Sequence, residues 1–145
     1  MAASIYDDHG ISLEHPADWP IEVDDGPDGR VSITTQSPGG LAFAIITVDE
    51  GRPDPAAMAD EALDAMRAEY PDLDASPAVE AVGGHKAVGH DVEFLALDLV
   101  NSCSIRCWQT PHRTIFVMGQ WSDLDEDDPE GHIRAIRASI EETDG

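Results

Sequence analysis

The chain has 145 residues, 41% of them hydrophobic, which is enough for one real core and short for two domains. Eight basic against thirty acidic residues give a formal charge of −22, which repels phosphate backbones, and without a polybasic segment there is nothing to attract an anionic bilayer; nucleic acid and membrane surfaces are therefore not expected partners. The longest apolar run, Leu41 to Ile46, is far short of the ~20 residues needed to span a membrane as a helix.

Residues 1–10 form a leader ahead of the first predicted strand. They carry neither a basic start nor an apolar stretch before a cleavage site, so a cytoplasmic location is expected. Lys86 is the single lysine, and Asp outnumbers Glu nineteen to eleven. Two origins fit this bias. One is a salt-rich cytoplasm, where a screening length of ~3 Å at 1 M salt removes the self-repulsion. The other is a GC-rich genome in which Ala, Asp, Gly and Arg are common.

From Gly10 to Val23, apolar residues alternate at Ile11 and Leu13, the pattern breaks at Pro16 and Pro20, and it resumes at Ile21 and Val23. This predicts two short extended pieces around a bend. The stretch from Asp24 to Arg30 is a glycine-rich turn. Val31 and Ile33 mark a strand, and Ser37 to Gly40 turn the chain back into Leu41–Val48 as a hairpin.

The first predicted helix opens at Asp54, which can cap free amides, with Pro55 at the first helical position. Met58, Ala62, Leu63, Met66 and Tyr70 form its apolar stripe, and Pro71 ends it. Asp128 and Pro129 repeat the device for a second helix that buries Ile133, Ile136 and Ile140. Between the helices, strands are predicted with turns at Gly83 to Lys86, around Asp98 to Asn101, and at Pro111 and His112. Links this short leave no room for parallel crossovers, so the fold class is α+β: an antiparallel sheet with helices packed on it, as one domain over 1–145.

Cys103 and Cys107 are the main chemical candidates. In a helix they would stack and could share a metal. In a strand they share a face but lie roughly 13 Å apart, four steps of ~3.3 Å. That is too far for one zinc ion at ~2.3 Å from each sulfur, or for a disulfide with Cα atoms within about 7 Å. The β-forming residues Thr114 to Trp121 that follow favour the strand. With the turn at Pro111 and His112, Cys107 faces Phe116, Ile105 faces Met118 and Cys103 faces Gln120, while Arg106 and Trp108 point to the other face. Both cysteines are then reduced, separate packing residues.

Other candidates fall on similar grounds. Asp123, Asp125 and Asp127 occupy positions one, three and five of a calcium loop, but Asp128 replaces its glycine and Arg134 its bidentate glutamate. The pairs Gly39–Gly40 and Gly83–Gly84 sit between strands, not ahead of a helix, so they are turns and not phosphate cradles. His9, His15, His85, His90, His112 and His132 are scattered and read as surface or edge residues. No catalytic, metal or cofactor-binding residue is assigned, and no cofactor is expected.

The order of elements resembles the PsbP/Mog1-like superfamily. The resemblance is carried by Gly10–Trp19 as opening strand, proline and tryptophan, the helix from Pro55, the strand, turn and strand over Val79–Phe94, the hairpin, and the closing helix ending at Ile133–Glu142. It implies an α/β/α sandwich around an antiparallel sheet. It also implies action by binding, as in photosystem subunits, a nuclear-transport factor and chaperone adaptors, with no shared catalytic residue to carry over. A cytosolic protein-binding or adaptor domain is the expected function, with a protein partner. The alternative is a metal-dependent or thiol enzyme assembled from the scattered His, Asp and Cys residues.

Overall fold

Two-residue turns set the architecture, because the residues that permit them recur between apolar runs. Gly83 and Gly84, both at positive φ, close Val82 onto His85, and Leu97 and Asp98, also both positive, close Ala96 onto Leu99. This is the backbone geometry whose twist matches flanking strands. The computed structural model describes residues 3–27, 29–124 and 128–143. In chain order the elements are β1 (Ala3–Asp8), β2 (Ile11–Pro16), β3 (Ile21–Asp25), β4 (Arg30–Gln36), β5 (Phe43–Asp49), α1 (Pro55–Glu69), β6 (Asp74–Val82), β7 (His85–Ala96), β8 (Leu99–Gln109), β9 (Thr114–Ser122), α2 (Pro129–Ala138) and β10 (Glu141–Glu142).

Seven strands form one antiparallel sheet in the order β3-β4-β5-β9-β8-β7-β6, and a second sheet has the order β1-β2-β10. The predicted register across β8 and β9 is the observed one: Cys107 faces Phe116, Ile105 faces Met118 and Cys103 faces Gln120. Along β8, alternate residues therefore feed two cores. Cys103, Ile105 and Cys107 meet Ala59, Leu63 and Met66 of α1 on one face. Trp108, with Ile115 and Val117 of β9, meets Ile11, Leu13, Ile133 and Ile136 on the other.

Both helices start where predicted. The Asp54 carboxylate accepts from the Ala57 amide at 2.9 Å and that of Asp128 from the Gly131 amide at 3.2 Å, each ahead of a proline. The second helix is shorter than its apolar stripe implied. It ends at Ala138, and Ile140 is buried from the segment beyond it.

Two further expectations are corrected. The leader contains a strand, β1, whose Ile5 is largely exposed, so little periodicity marks it. The two extended pieces around Pro16 and Pro20 belong to different sheets: the turn closed by the Trp19 amide on the Pro16 carbonyl passes the chain from β2 to β3, the edge of the larger sheet. His15 is not a surface histidine. It is 8% exposed, because it alternates inward with Ile11 and Leu13, and its Nδ1 lies 2.9 Å from the Pro16 carbonyl oxygen.

The seat of α2 depends on Gly119, where an added Cβ would lie 2.4 Å from Ile133 Cγ2. Gly119→Ala should lift the helix and destabilise the fold by about 1–3 kcal/mol. Gly39→Ala, which meets nothing within 4 Å, should stay within about 0.5 kcal/mol in the same urea titration. Equal midpoints for the two variants would show that α2 does not rest on this contact.

Candidate functional site

Two hollows lie along β6 and β7, one bordered by α2 and the other by the end of α1. The first, about 580 Å3, lies on the α2 side. Alternation along β8 places Ser104 and Arg106 in its floor, opposite Asp91 and Gly89 of β7. Arg106 Nε donates to Glu80, Nη2 pairs with Asp91 at 2.9 Å, and Nη1 donates to the Ile105 carbonyl at 2.9 Å. Arg137 of α2 reaches the same Glu80 carboxylate at 3.0 Å and donates to Ser104 Oγ at 3.4 Å. One glutamate thus joins β6, β8 and α2. Gly89 lets the β8 backbone approach closely beneath this network, since a Cβ there would meet the Ile105 carbonyl oxygen at 1.7 Å.

Burial lowers the Arg137 pKa, with the Glu80 charge opposing and Arg106 reinforcing that shift. Both arginines are buried and their charges are matched by carboxylates, so the floor is a structural tie. No histidine lines this hollow, and the Ser104 hydroxyl accepts from the Arg137 guanidinium. Among the described residues no carboxylate or imidazole is hydrogen-bonded to the Ser104 hydroxyl to activate it.

The thiols lie under α1. Both are free and buried, and burial first, helped by the charge of Asp91 on Cys103 and of Asp54 on Cys107, pushes each pKa up to about 12. Cys107 Sγ lies 3.8 Å from Met58 Sδ. Neither is a nucleophile at neutral pH, because the thiolate is the reactive form.

His15 and His132 line one small hollow with Glu14, and His9 and His90 have separate partners. His9 bonds the Tyr6 hydroxyl at 2.7 Å and Asp25 at 3.1 Å, His90 meets Asp60 at 2.9 Å, and His132 packs edge-on against Trp19. Among the described residues no group of three or more His, Cys, Asp or Glu side chains could hold a metal ion. Of the calcium-like run, Asp125 and Asp127 lie outside the described residues. Gly39–Gly40 and Gly83–Gly84 are inter-strand turns.

The second hollow, about 560 Å3, lies between the end of α1 and the β7–β8 hairpin. Beside it the hairpin tip exposes Leu95 (73%), Leu97 (94%) and Val100. The sequence places a turn nearby but gives no sign that leucine occupies it. Left-handed backbone in a two-residue hairpin favours Asn and Gly, and the neighbouring turn indeed uses two glycines. Leu97 therefore has a strained backbone and no packing to compensate it.

No protein-family model and no curated protein matches the sequence. Solved structures do match in fold. Cyanobacterial PsbP (CyanoP) from Synechocystis has a TM-score of 0.67 at 12% identity, over 97% of this chain and 92% of that one. LpqN of Mycobacterium tuberculosis, a protein involved in cell envelope biogenesis, has 0.60 at 15% identity, over 98% and 91%. A Bacteroides thetaiotaomicron protein has 0.62 at 13% identity; 92% of this chain is covered, and it spans 45% of that one. The fold is PsbP-like, as the resemblance implied, and at these identities the likeness is one of fold alone. No helix among the described residues is long and apolar enough to cross a membrane.

The thiols make a pH prediction. A folded pKa of about 12 against an ordinary 9.0 favours the protonated form on folding. The resulting stability is fully present below pH 9 and is lost as pH rises from there towards 12. A Cys103→Ala, Cys107→Ala double variant should be less stable at pH 7, by about 1–2 kcal/mol per site, yet decline less steeply above pH 9. Iodoacetamide should label the native protein far more slowly than the denatured one. Rapid labelling of native Cys107 would show an activated thiol.

Proposed function

We propose that this chain is a non-catalytic, cytosolic protein-binding domain of the adaptor type. The observation that carries the reading is Leu97: an apolar side chain at the tip of a long hairpin, almost wholly exposed, in a backbone conformation that leucine adopts at a cost. Strain kept without a packing reason points to function. Leu95 and Val100, directly opposite each other on the two strands, extend the same apolar tip. The absence of an activated nucleophile among the described residues removes support from the thiol-enzyme alternative, and the resemblance to a superfamily that acts by binding supports the same reading.

The experiment compares proteins retained from source-cell lysate, at native ionic strength, by the wild type and by Leu97→Asp. A stoichiometric protein partner should be retained by the wild type and lost by the variant, whose circular dichroism should be unchanged. Identical retention by both would remove the hairpin tip from any binding role. Stoichiometric zinc or a transition metal in protein purified without chelator would put the alternative, an enzyme or metal-binding protein, ahead of this reading.

The acidic coat makes a second prediction. If the cytosol is saline, the melting temperature should rise between low and molar potassium chloride as self-repulsion is screened. An unchanged melting temperature would leave genome composition as the origin of the charge.

A further inference from the structure

We propose, on the basis of the protein-binding reading above, that the cleft between the end of α1 and the β7–β8 hairpin receives an extended partner segment carrying an apolar side chain flanked by lysine or arginine. Three observations specify that chemistry. The first is an unfinished edge. β6 begins at Asp74 opposite Glu93, so Phe94, Leu95 and Ala96 of β7 have no strand partner on that side. An extended segment can take the vacant place, with main-chain bonds supplying affinity and side-chain pockets specificity.

The second is apolar lining. Tyr70 stacks on Phe94 with ring centroids 4.3 Å apart, and Leu73, Leu95 and Val100 complete the wall. Leu95, 73% exposed, has surface that only an incoming side chain would cover.

The third is charge. Glu69, Asp72, Asp74 and Glu93 line the cleft with no Lys, Arg or His in its wall; Asp74 and Glu93 also border the first hollow with Arg106, Arg134 and Arg137, yet among the described residues none of the four is in an ion pair. Asp74 and Glu93 are direct cross-strand partners, and like charges so placed destabilise a sheet unless a cation lies between them. The negative end of the α1 dipole points the same way. Arg67, the basic residue of the last turn, lines a different hollow with Asp64 and His90. A second copy of this chain, itself at −22, is repelled from such a cleft, whereas a basic segment is attracted.

The probe is a fluorescein-labelled peptide, Gly-Lys-Val-Arg-Leu-Lys-Gly amide, followed by fluorescence anisotropy at moderate salt. Replacing its Val and Leu by Ser keeps the charge and should weaken binding about tenfold or more. In the protein, Leu95→Ser and Asp74→Asn should each weaken binding to a similar degree, while Asp24→Asn with Asp25→Asn on β3 should leave it nearly unchanged. Asp74→Asn should also raise the melting temperature of the free protein by relieving repulsion from Glu93, which separates lost binding from lost folding. Failure of the peptide to bind, equal binding of the Ser peptide, or equal weakening by the β3 variant would overturn the proposal. So would a Leu95-dependent dimer in sedimentation, which would place a second copy in the cleft. If Leu97→Asp still releases a captured partner while the peptide fails to bind, the protein-binding reading stands and this assignment of its partner's chemistry falls.

Discussion

The alternation of side chains along β8 is the constraint on which the rest of the structure depends. A strand at the middle of a sheet has two faces to bury, and here each is given different chemistry. Cys103, Ile105 and Cys107 supply a dry apolar row to α1, and Ser104, Arg106 and Trp108 supply a mixed row to α2 and the small sheet. A slip of one residue would exchange the rows, placing a guanidinium under α1 and thiols against Glu80. The tight Pro111–His112 turn and the close approach at Gly89 hold the register that prevents this.

The few cations are spent where elements must be joined. Arg106 and Arg137 share Glu80, and Arg113 pairs with Glu142 at 3.1 Å with both side chains almost fully buried, joining the start of β9 to β10. Replacing a buried pair by apolar residues can be neutral, whereas removing one member leaves an uncompensated charge. These pairs therefore act chiefly to specify which elements meet. Their burial also withdraws three cations from the surface, and the acidic residues around the α1–hairpin cleft are in no ion pair among the described residues.

Local chemistry was legible in the sequence and distant convergence was not. Asp54–Pro55 and Asp128–Pro129 announce helix starts because capping acts within three residues, and the Cys107–Phe116 register follows from one tight turn. The network on Glu80 was hidden because its partners lie 26 and 57 residues away. The β1 strand was hidden because an exposed strand beside a small sheet needs little hydrophobic alternation. The burial of His15 and the division of β2 from β3 between two sheets depend on which layer each strand joins, and no local pattern encodes that. Leu97 went unnoticed for a different reason: a leucine among strand-forming residues looks like core until its turn is known.

The small sheet sets an order on assembly during synthesis. β2 lies between β1, its neighbour in sequence, and β10, and the Glu14 amide donates to Ser139 Oγ at a sequence separation of 125. Ile11 and Leu13 are among the most deeply buried residues, and the core that covers them includes Ile133 and Ile136 of α2 and Ile140 just after it as well as the large sheet. On the ribosome, the part of the first hairpin's cover that α2 supplies arrives only when nearly all of the described chain has emerged. The α1-side core can close earlier, once β9 is made. Nascent chains would pass through a half-built state whose open face is the one that α2 later seals, and that face is the part of the molecule most in need of protection before synthesis is complete.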